Sequence, residues 1–347
     1  MGFHGTSVPG ALRRYVAEGA PAGAVLFGRN IESTGQVAEL LRELRGLWPA
    51  EGPTPLLAVD QEGGAVRRLK SPQVPEFIPL PTARQVAASG DMETTREAGR
   101  LTAMQLAALG FNMNFAPVLD VDSNPNNPVI GARSFGSTPT VVAQHGRAFV
   151  EGSLDGGVLP CIKHFPGHGD TDTDSHLALP RLHHPRERLE AIELAPFREA
   201  MGWHISAIMT AHVVFSALDD QWPATLSDRV LPTLLRTEMG YDGVVISDDL
   251  EMKAIADHHD PDTVARRGLD ATVDLFLVCE HLDLAAAIRD GLRAAEGSSH
   301  ARARQVKEAR RRVLALRKQA HDHAAQPYGG TLPGVAEAEA LVARLTA

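Results

Sequence analysis

At 347 residues with 44% hydrophobic side chains, the chain has apolar material for a large core, either as two domains or as one α/β barrel. A formal net charge of −9 argues against nucleic acid or an anionic membrane surface as partner. No apolar run reaches the ~18–20 residues that cross a bilayer, and the start MGFHGTSVPG has neither the basic nor the apolar region of a secretion signal. Cys161 and Cys279 both sit in apolar runs, so buried free thiols and a reducing, cytoplasmic setting are expected.

In chain order, Gly23–Phe27 reads as the first clear strand, ahead of Arg29 and Asn30. The segment Ser33–Leu47 follows as a helix, with Val37, Leu40, Leu41, Leu44 and Leu47 at helical spacing. Strand Leu56–Val59 runs into D-Q-E-G-G, helix 94–109 precedes strand Asn112–Leu119, and helix Gly146–Leu154 leads to strand Val158–Ile162. Helix Arg186–Met201, strand Ser206–Phe215 and helix Arg229–Met239 come next; Ser227 suits its N-cap and Gly240 its stop. Strand Gly243–Ile246, helix Val264–Leu269, strand Leu275–Val278 and helices Asp283–Ala295 and Ala301–Ala320 complete the alternation.

Repeated β-α alternation implies parallel strands with helices outside. Polar residues recur just past the strand ends: Arg29, Asn30, Asp60, Asp120, Lys163, His164, His212 and Asp248. A site drawn from nearly every βα loop is the barrel pattern, whereas an open sheet concentrates it at one switch point. A TIM (β/α)8-like barrel over residues 1–320 is therefore expected, followed by a tail and short helix over 321–347 that pack on or near it. Only seven strands are counted. The eighth falls on residues 1–4, an incomplete first strand.

Four stretches carry candidate chemistry. The densest is C-I-K-H-F-P-G-H-G-D-T-D-T-D-S-H (161–176), three His and three Asp after a buried strand. As a metal site it offers His164, His168, Asp170, Asp172, Asp174 and His176, but the spacing matches no compact zinc motif and the calcium-loop register fails. As plain turn-forming sequence it is unusually rich in ionisable groups. As a catalytic loop it places Asp174 two residues from His176, where a carboxylate can orient an imidazole and tune it for proton transfer. The second stretch, V-V-I-S-D-D-L-E-M (244–252), ends an apolar strand in two carboxylates; one of them is expected to cap the next helix, and Asp248 lies nearer the barrel mouth. In A-V-D-Q-E-G-G-A-V-R-R-L (58–69), Gly63 and Gly64 permit a turn that returns Arg67 or Arg68 toward Asp60, either as a rim ion pair or as a partner for sugar hydroxyls. The fourth, I-G-A-R-S-F-G (130–136), holds Arg133 in a loop flanked by Gly131, Phe135 and Gly136.

Together and in this order, these pieces resemble the single-barrel bacterial β-N-acetylglucosaminidases of glycoside hydrolase family 3. The resemblance runs from G-F-H-G-T through V-L-F-G-R-N-I, V-D-Q-E-G-G-A-V-R-R, N-F-A-P-V-L-D-V and the 130–136 loop to K-H-F-P-G-H-G-D-T-D-T-D-S-H, M-T-A-H-V and I-S-D-D-L-E-M. It implies a retaining exo-hydrolase releasing terminal β-N-acetylglucosamine from peptidoglycan-derived fragments, with Asp248 as nucleophile and His176, paired with Asp174, as general acid/base. It further implies that Asp60, Arg68, Arg133, Lys163 and His164 line the sugar subsite, that no metal or organic cofactor is used, and that the partner of a monomeric chain is a small carbohydrate. A histidine acid repels an anionic acceptor less than a carboxylate does, so a phosphorylase on the same intermediate is the alternative; an inactive sugar-binding barrel is the non-enzymatic one. The glycines ahead of His176 predict a loop that holds it away from Asp248 without substrate.

Overall fold

The computed structural model describes residues 1–19, 21–203, 205–320 and 328–346. Its strands form the staves of a barrel, and each forms where apolar residues can be buried on both faces. β1 (Gly23–Leu26), β2 (Leu56–Val59), β3 (Met113–Asn114) and β4 (Leu159–Pro160) pair in parallel in that order. Cys161 separates β4 from β5 (Ile162–Phe165), which pairs in parallel with β6 (Ala207–Thr210); β6 pairs with β7 (Val244–Ile246). Ile246 then bridges to Leu275, and the Leu250 amide donates to the Leu277 carbonyl.

The gap left by seven strands is filled by residues 1–3. The Gly2 amide donates to Val278 O at 2.7 Å, and Met1 O accepts from the Val25 amide at 2.9 Å. The short first stave is therefore present as a three-residue connection between segment 275–278 and β1, and hydrogen bonds run all the way round the ring.

Inside the ring lie Val25, Ala58, Met113, Phe115, Cys161, Met209, Ile246 and Leu277. Helix His300–Gln319 closes one end with Val313 and Leu316. It also holds the chain that enters the strands: Arg317 donates to Thr54 O ahead of β2, and Arg312 pairs with Asp242 ahead of β7. The opposite end, where the strands finish, is left to the loops. Helices Met92–Leu109 and Pro139–Asp155 pack closely side by side outside the barrel, and helix Val335–Thr346 lays Ala338 and Leu341 against that layer. Residues 321–327 and 347, which the expected tail also covers, lie outside the described residues.

Several expected elements differ at their ends. Helix Arg186–Met201 is two helices, Arg186–Ala191 and Ala195–Ala200, because Pro196 belongs in a first turn and cannot continue one. Asn112–Leu119 is strand only at Met113–Asn114, with an isolated bridge from Val118 to Lys163. The stretch after Ser227 is a π-helix, Val230–Glu238; Ser227 Oγ accepts from the Arg229 and Val230 amides, and Gly240 stops it at φ +73°. Neither Asp248 nor Asp249 caps the helix that follows them. That helix, Lys253–Ala256, starts after Met252 without a side-chain cap, and Asp249 instead accepts from the Glu251 amide within the turn. Both cysteines are free and buried, and no described helix is long and apolar enough to cross a membrane.

Candidate active site

The site begins at the end of β2. Asn114 Oδ1 accepts from the Gln61 amide, and Gln61 Oε1 in turn accepts from the amides of Arg68 and Leu69. The result is a tight hairpin, Gln61–Gly63 against Val66–Arg67, whose turn passes through Gly63 and Gly64 at positive φ. It returns Arg68 to 3.4 Å from Asp60. The other arginine, Arg67, makes no such contact.

Lys163 enters from β5, with a side chain only 3% exposed. Its ammonium lies 2.8 Å from Asp60 Oδ1 and 2.6 Å from Glu62 Oε1. Glu62 is also gripped by Arg133 through two bonds of 2.9 Å, a bidentate pair that fixes the guanidinium plane. Burial opposes ionisation of Glu62, yet the Arg133 and Lys163 charges override it and hold the carboxyl well below the usual range. Burial likewise opposes the Lys163 charge, and Asp60 and Glu62 raise its pKa instead. Glu62 was not among the expected site residues, although it shapes two of them.

His164, next to Lys163, is oriented by a fully buried carboxylate. Its Nδ1 lies 2.6 Å from Asp120 Oδ2, and Nε2 lies 3.5 Å from Arg133. With Nδ1 engaged by Asp120, Nε2 is the nitrogen turned toward Arg133. Asp120 Oδ1 also takes the His168 amide at 2.7 Å.

Asp248 follows β7. Burial pushes its carboxyl up, but His164, His212, the Asp249 amide and Lys163 together hold it below the ordinary carboxylate value. The neighbouring Asp249 goes the other way. Buried and beside two like charges, Glu251 and Asp248, it is pushed up to about 6. His212 is fixed on both nitrogens, by Thr225 Oγ1 at 2.8 Å and the Asp249 carbonyl at 3.0 Å, so it supports the turn that carries Asp248.

The loop after β5 brings Asp174 and His176 together: His176 Nδ1 lies 2.8 Å from Asp174 Oδ1, which also accepts the His176 amide at 2.9 Å. Burial opposes its ionisation, but these two bonds keep the Asp174 carboxyl below its ordinary value. The His176 side chain is 63% exposed, whereas Asp248 is largely enclosed, and the two are joined by no hydrogen bond or ion pair. The remaining members of the His/Asp cluster are already engaged: Asp170 with His184 and Arg188, Asp172 with the Thr173 hydroxyl, and His168 with Thr171 and Ser175. Among the described residues, no group of three His, Cys, Asp or Glu side chains is arranged to hold a metal ion.

The chain's relatives share this architecture. Residues 8–316 match the glycosyl hydrolase family 3 N-terminal domain. The chain is similar to a family 3 β-N-acetylglucosaminidase from Paenibacillus sp. str. FPU-7, at 41% identity and TM-score 0.92 over 99% of this chain and 66% of that one. It is similar to NagZ from Neisseria gonorrhoeae, solved in complex with N-trifluoroacetyl-D-glucosamine, at 32% identity and TM-score 0.81 over 100% of this chain and 98% of that one. Beta-hexosaminidase A of Pseudoalteromonas piscicida is 38% identical over 286 residues, 78% of this chain but only 46% of that protein, so the chain spans about half the length of this relative. With its family match covering most of its length, and its ring of parallel strands joined through residues 1–3, the chain belongs to glycosyl hydrolase family 3.

Proposed function

We propose that the chain is a retaining exo-β-N-acetylglucosaminidase acting on terminal, non-reducing N-acetylglucosamine of peptidoglycan-derived fragments. The observation that carries this reading is a division of labour between two groups. Asp248 sits at a strand end, ionised among His164, His212 and Lys163, while a carboxylate-paired imidazole, His176, stands on the loop beside the mouth.

In the first step, Asp248 attacks the anomeric carbon as the bond to the leaving oxygen breaks. His176, in its imidazolium form, gives its Nε2 proton to that oxygen, and Asp174 holds Nδ1 and stabilises the charged ring. In the second step, neutral His176 takes a proton from water, whose oxygen attacks the anomeric carbon and releases Asp248. Because the acid is not a carboxyl group, the 5–5.5 Å carboxylate spacing of ordinary retaining enzymes does not apply. Asp60, Arg68, Lys163 and His164 offer acceptors and donors side by side for sugar hydroxyls, with Arg133 beside them. The N-acetylglucosaminidase names of the relatives support the choice of sugar.

The test is hydrolysis of an aryl N-acetylglucosaminide against the matching aryl glucoside, with and without inorganic phosphate. Preferred turnover of the N-acetyl substrate, unchanged by phosphate and giving a β-configured first product, is expected. A glycosyl phosphate product would replace hydrolysis by phosphorolysis, and no turnover would leave a sugar binder. Asp248→Ala is expected to lose at least about a thousandfold in kcat; full activity would remove it as nucleophile.

A further inference from the structure

His168 is a histidine in a catalytic loop that the proposed chemistry does not use. It is 1% exposed, which is unusual for a residue in a polar loop, and both of its ring nitrogens are occupied. Nδ1 lies 2.8 Å from Thr171 Oγ1, near the beginning of the His176 loop. Nε2 lies 3.0 Å from Ser175 Oγ, the residue between Asp174 and His176. One ring therefore ties together the two ends of the segment that carries the proton-transfer pair.

The other side of His168 is tied to the sugar-binding wall. Its amide donates to Asp120 Oδ1 at 2.7 Å, while Oδ2 of the same carboxylate orients His164. Asn127 adds a brace, donating to the His168 carbonyl at 2.8 Å and to Thr171 Oγ1 at 3.2 Å. Ser175 is itself 2% exposed, whereas His176 beside it is open. The chain thus passes from a buried residue to an exposed one within a single step.

We propose that His168 is a positioning residue: through Ser175 it sets where the Asp174–His176 pair stands, and through Asp120 it fixes that position relative to His164 and the sugar pocket. The loop moves about this pin rather than as a free flap. This inference rests on His176 acting as the general acid. A pair displaced by about 1 Å can lose on the order of a hundredfold in rate, so the pin matters only for the two steps in which His176 moves a proton, and kcat/KM reads the first of them, delivery to the leaving oxygen.

That restriction gives the test. In the intact protein, Ser175→Ala removes the pinned hydroxyl with minimal change of volume. His168→Asn keeps a polar group near the position of ring Nδ1 and removes the one at Nε2. Both variants are compared with His176→Ala on two N-acetylglucosaminides, one with an alkyl leaving group and one with a dinitrophenyl leaving group that needs no protonation. For Ser175→Ala, kcat/KM is expected to fall about tenfold to a hundredfold on the alkyl substrate and less than threefold on the activated one, with faster amide hydrogen exchange across residues 171–177. His168→Asn is expected to follow the same split. Equal losses on both substrates, or no loss on either, would overturn the pin. If His176→Ala alone shows the split, the pin fails and the acid assignment survives. If His176→Ala shows none, the acid assignment fails and the pin falls with it.

Discussion

Glu62 illustrates how a residue far from any proton transfer can govern a site. Its side chain is 5% exposed, and three of its hydrogen bonds go to two cations, the buried Lys163 and the mostly buried Arg133. Glu62→Gln keeps the shape but leaves Lys163 with Asp60 alone, and Arg133 with no paired carboxylate, only the charges of Asp120 and Asp60 nearby. Removing one partner from a buried charge cluster typically costs about 3–5 kcal/mol. Urea denaturation should therefore find the variant destabilised by that order, and the sugar KM should rise because Arg133 loses its fixed plane. An unchanged midpoint would mean that water reaches these cations after all. Asp249 makes a second residue-scale prediction, with the opposite sign from a paired carboxylate. Its pKa is raised from 3.8 to about 6, so between those values the folded chain keeps a proton that the unfolded chain has released. Its contribution to stability is thus fully present below about pH 4 and is lost as pH rises through about 6, amounting to roughly 3 kcal/mol at 1.36 kcal/mol per pKa unit. Asp249→Asn retains an acceptor for the Glu251 amide and cannot ionise. Relative to the parent, it should gain stability at pH 7.5 and not at pH 4; the same difference at both pH values would show that Asp249 does not titrate in this window.

At the scale of elements, legibility followed the kind of signal. Helix Thr34–Arg45 was readable because Val37, Leu40, Leu41 and Leu44 repeat on one face and Ser33 caps it. Helix Pro139–Asp155 begins two turns ahead of the expected Gly146, and Pro139 at its first turn is its start signal. The π-form of Val230–Glu238 leaves no mark in residue spacing. Site residues divided similarly. Asp248, Lys163 and His164 follow apolar strands and announce themselves, whereas Glu62 is identified by Arg133, 71 positions later, and the role of Asp120 by His164, 44 positions later. Such pairings are properties of the closed ring and not of any segment. Glycines show the same limit. A Cβ on Gly152 would stand 1.9 Å from the Arg96 carbonyl, and one on Gly99 would stand 2.5 Å from that of Phe149, so helices Met92–Leu109 and Pro139–Asp155 touch backbone to backbone. Gly152→Ala ordinarily gains up to about 1 kcal/mol of helix propensity. Here it must push the helices apart, and overpacking of this kind costs about 1–3 kcal/mol. A lowered melting temperature is expected, and a raised one would mean that the pair can slide without loss.

At the scale of the whole molecule, everything in the site depends on the ring being closed, because its residues come from staves that are neighbours only in the barrel. The narrowest link is residues 1–3. Two main-chain bonds, Gly2 N to Val278 O and Val25 N to Met1 O, join the eighth stave to β1, and no side chain fits at the crossing: a Cβ on Gly2 would stand 1.9 Å from the Cys279 carbonyl. The same carbonyl accepts from Arg29, and the Cys279 amide donates to Glu251, in the turn that follows Asp248. A disturbance at Gly2 is therefore passed within one residue to the loop that bears Asp248. Gly2→Val should part this seam while leaving the other six connections intact. The expected signature is local and specific: the Val25 amide, protected by its bond to Met1 O, should exchange at least about tenfold faster, while amides of β6 and β7 keep their protection until global unfolding. Activity should fall with it, through the displaced Glu251 turn, even though residue 2 lies far from Asp248 in sequence. If Val25 protection is unchanged in Gly2→Val, the ring is not held at this seam and the short first stave is dispensable.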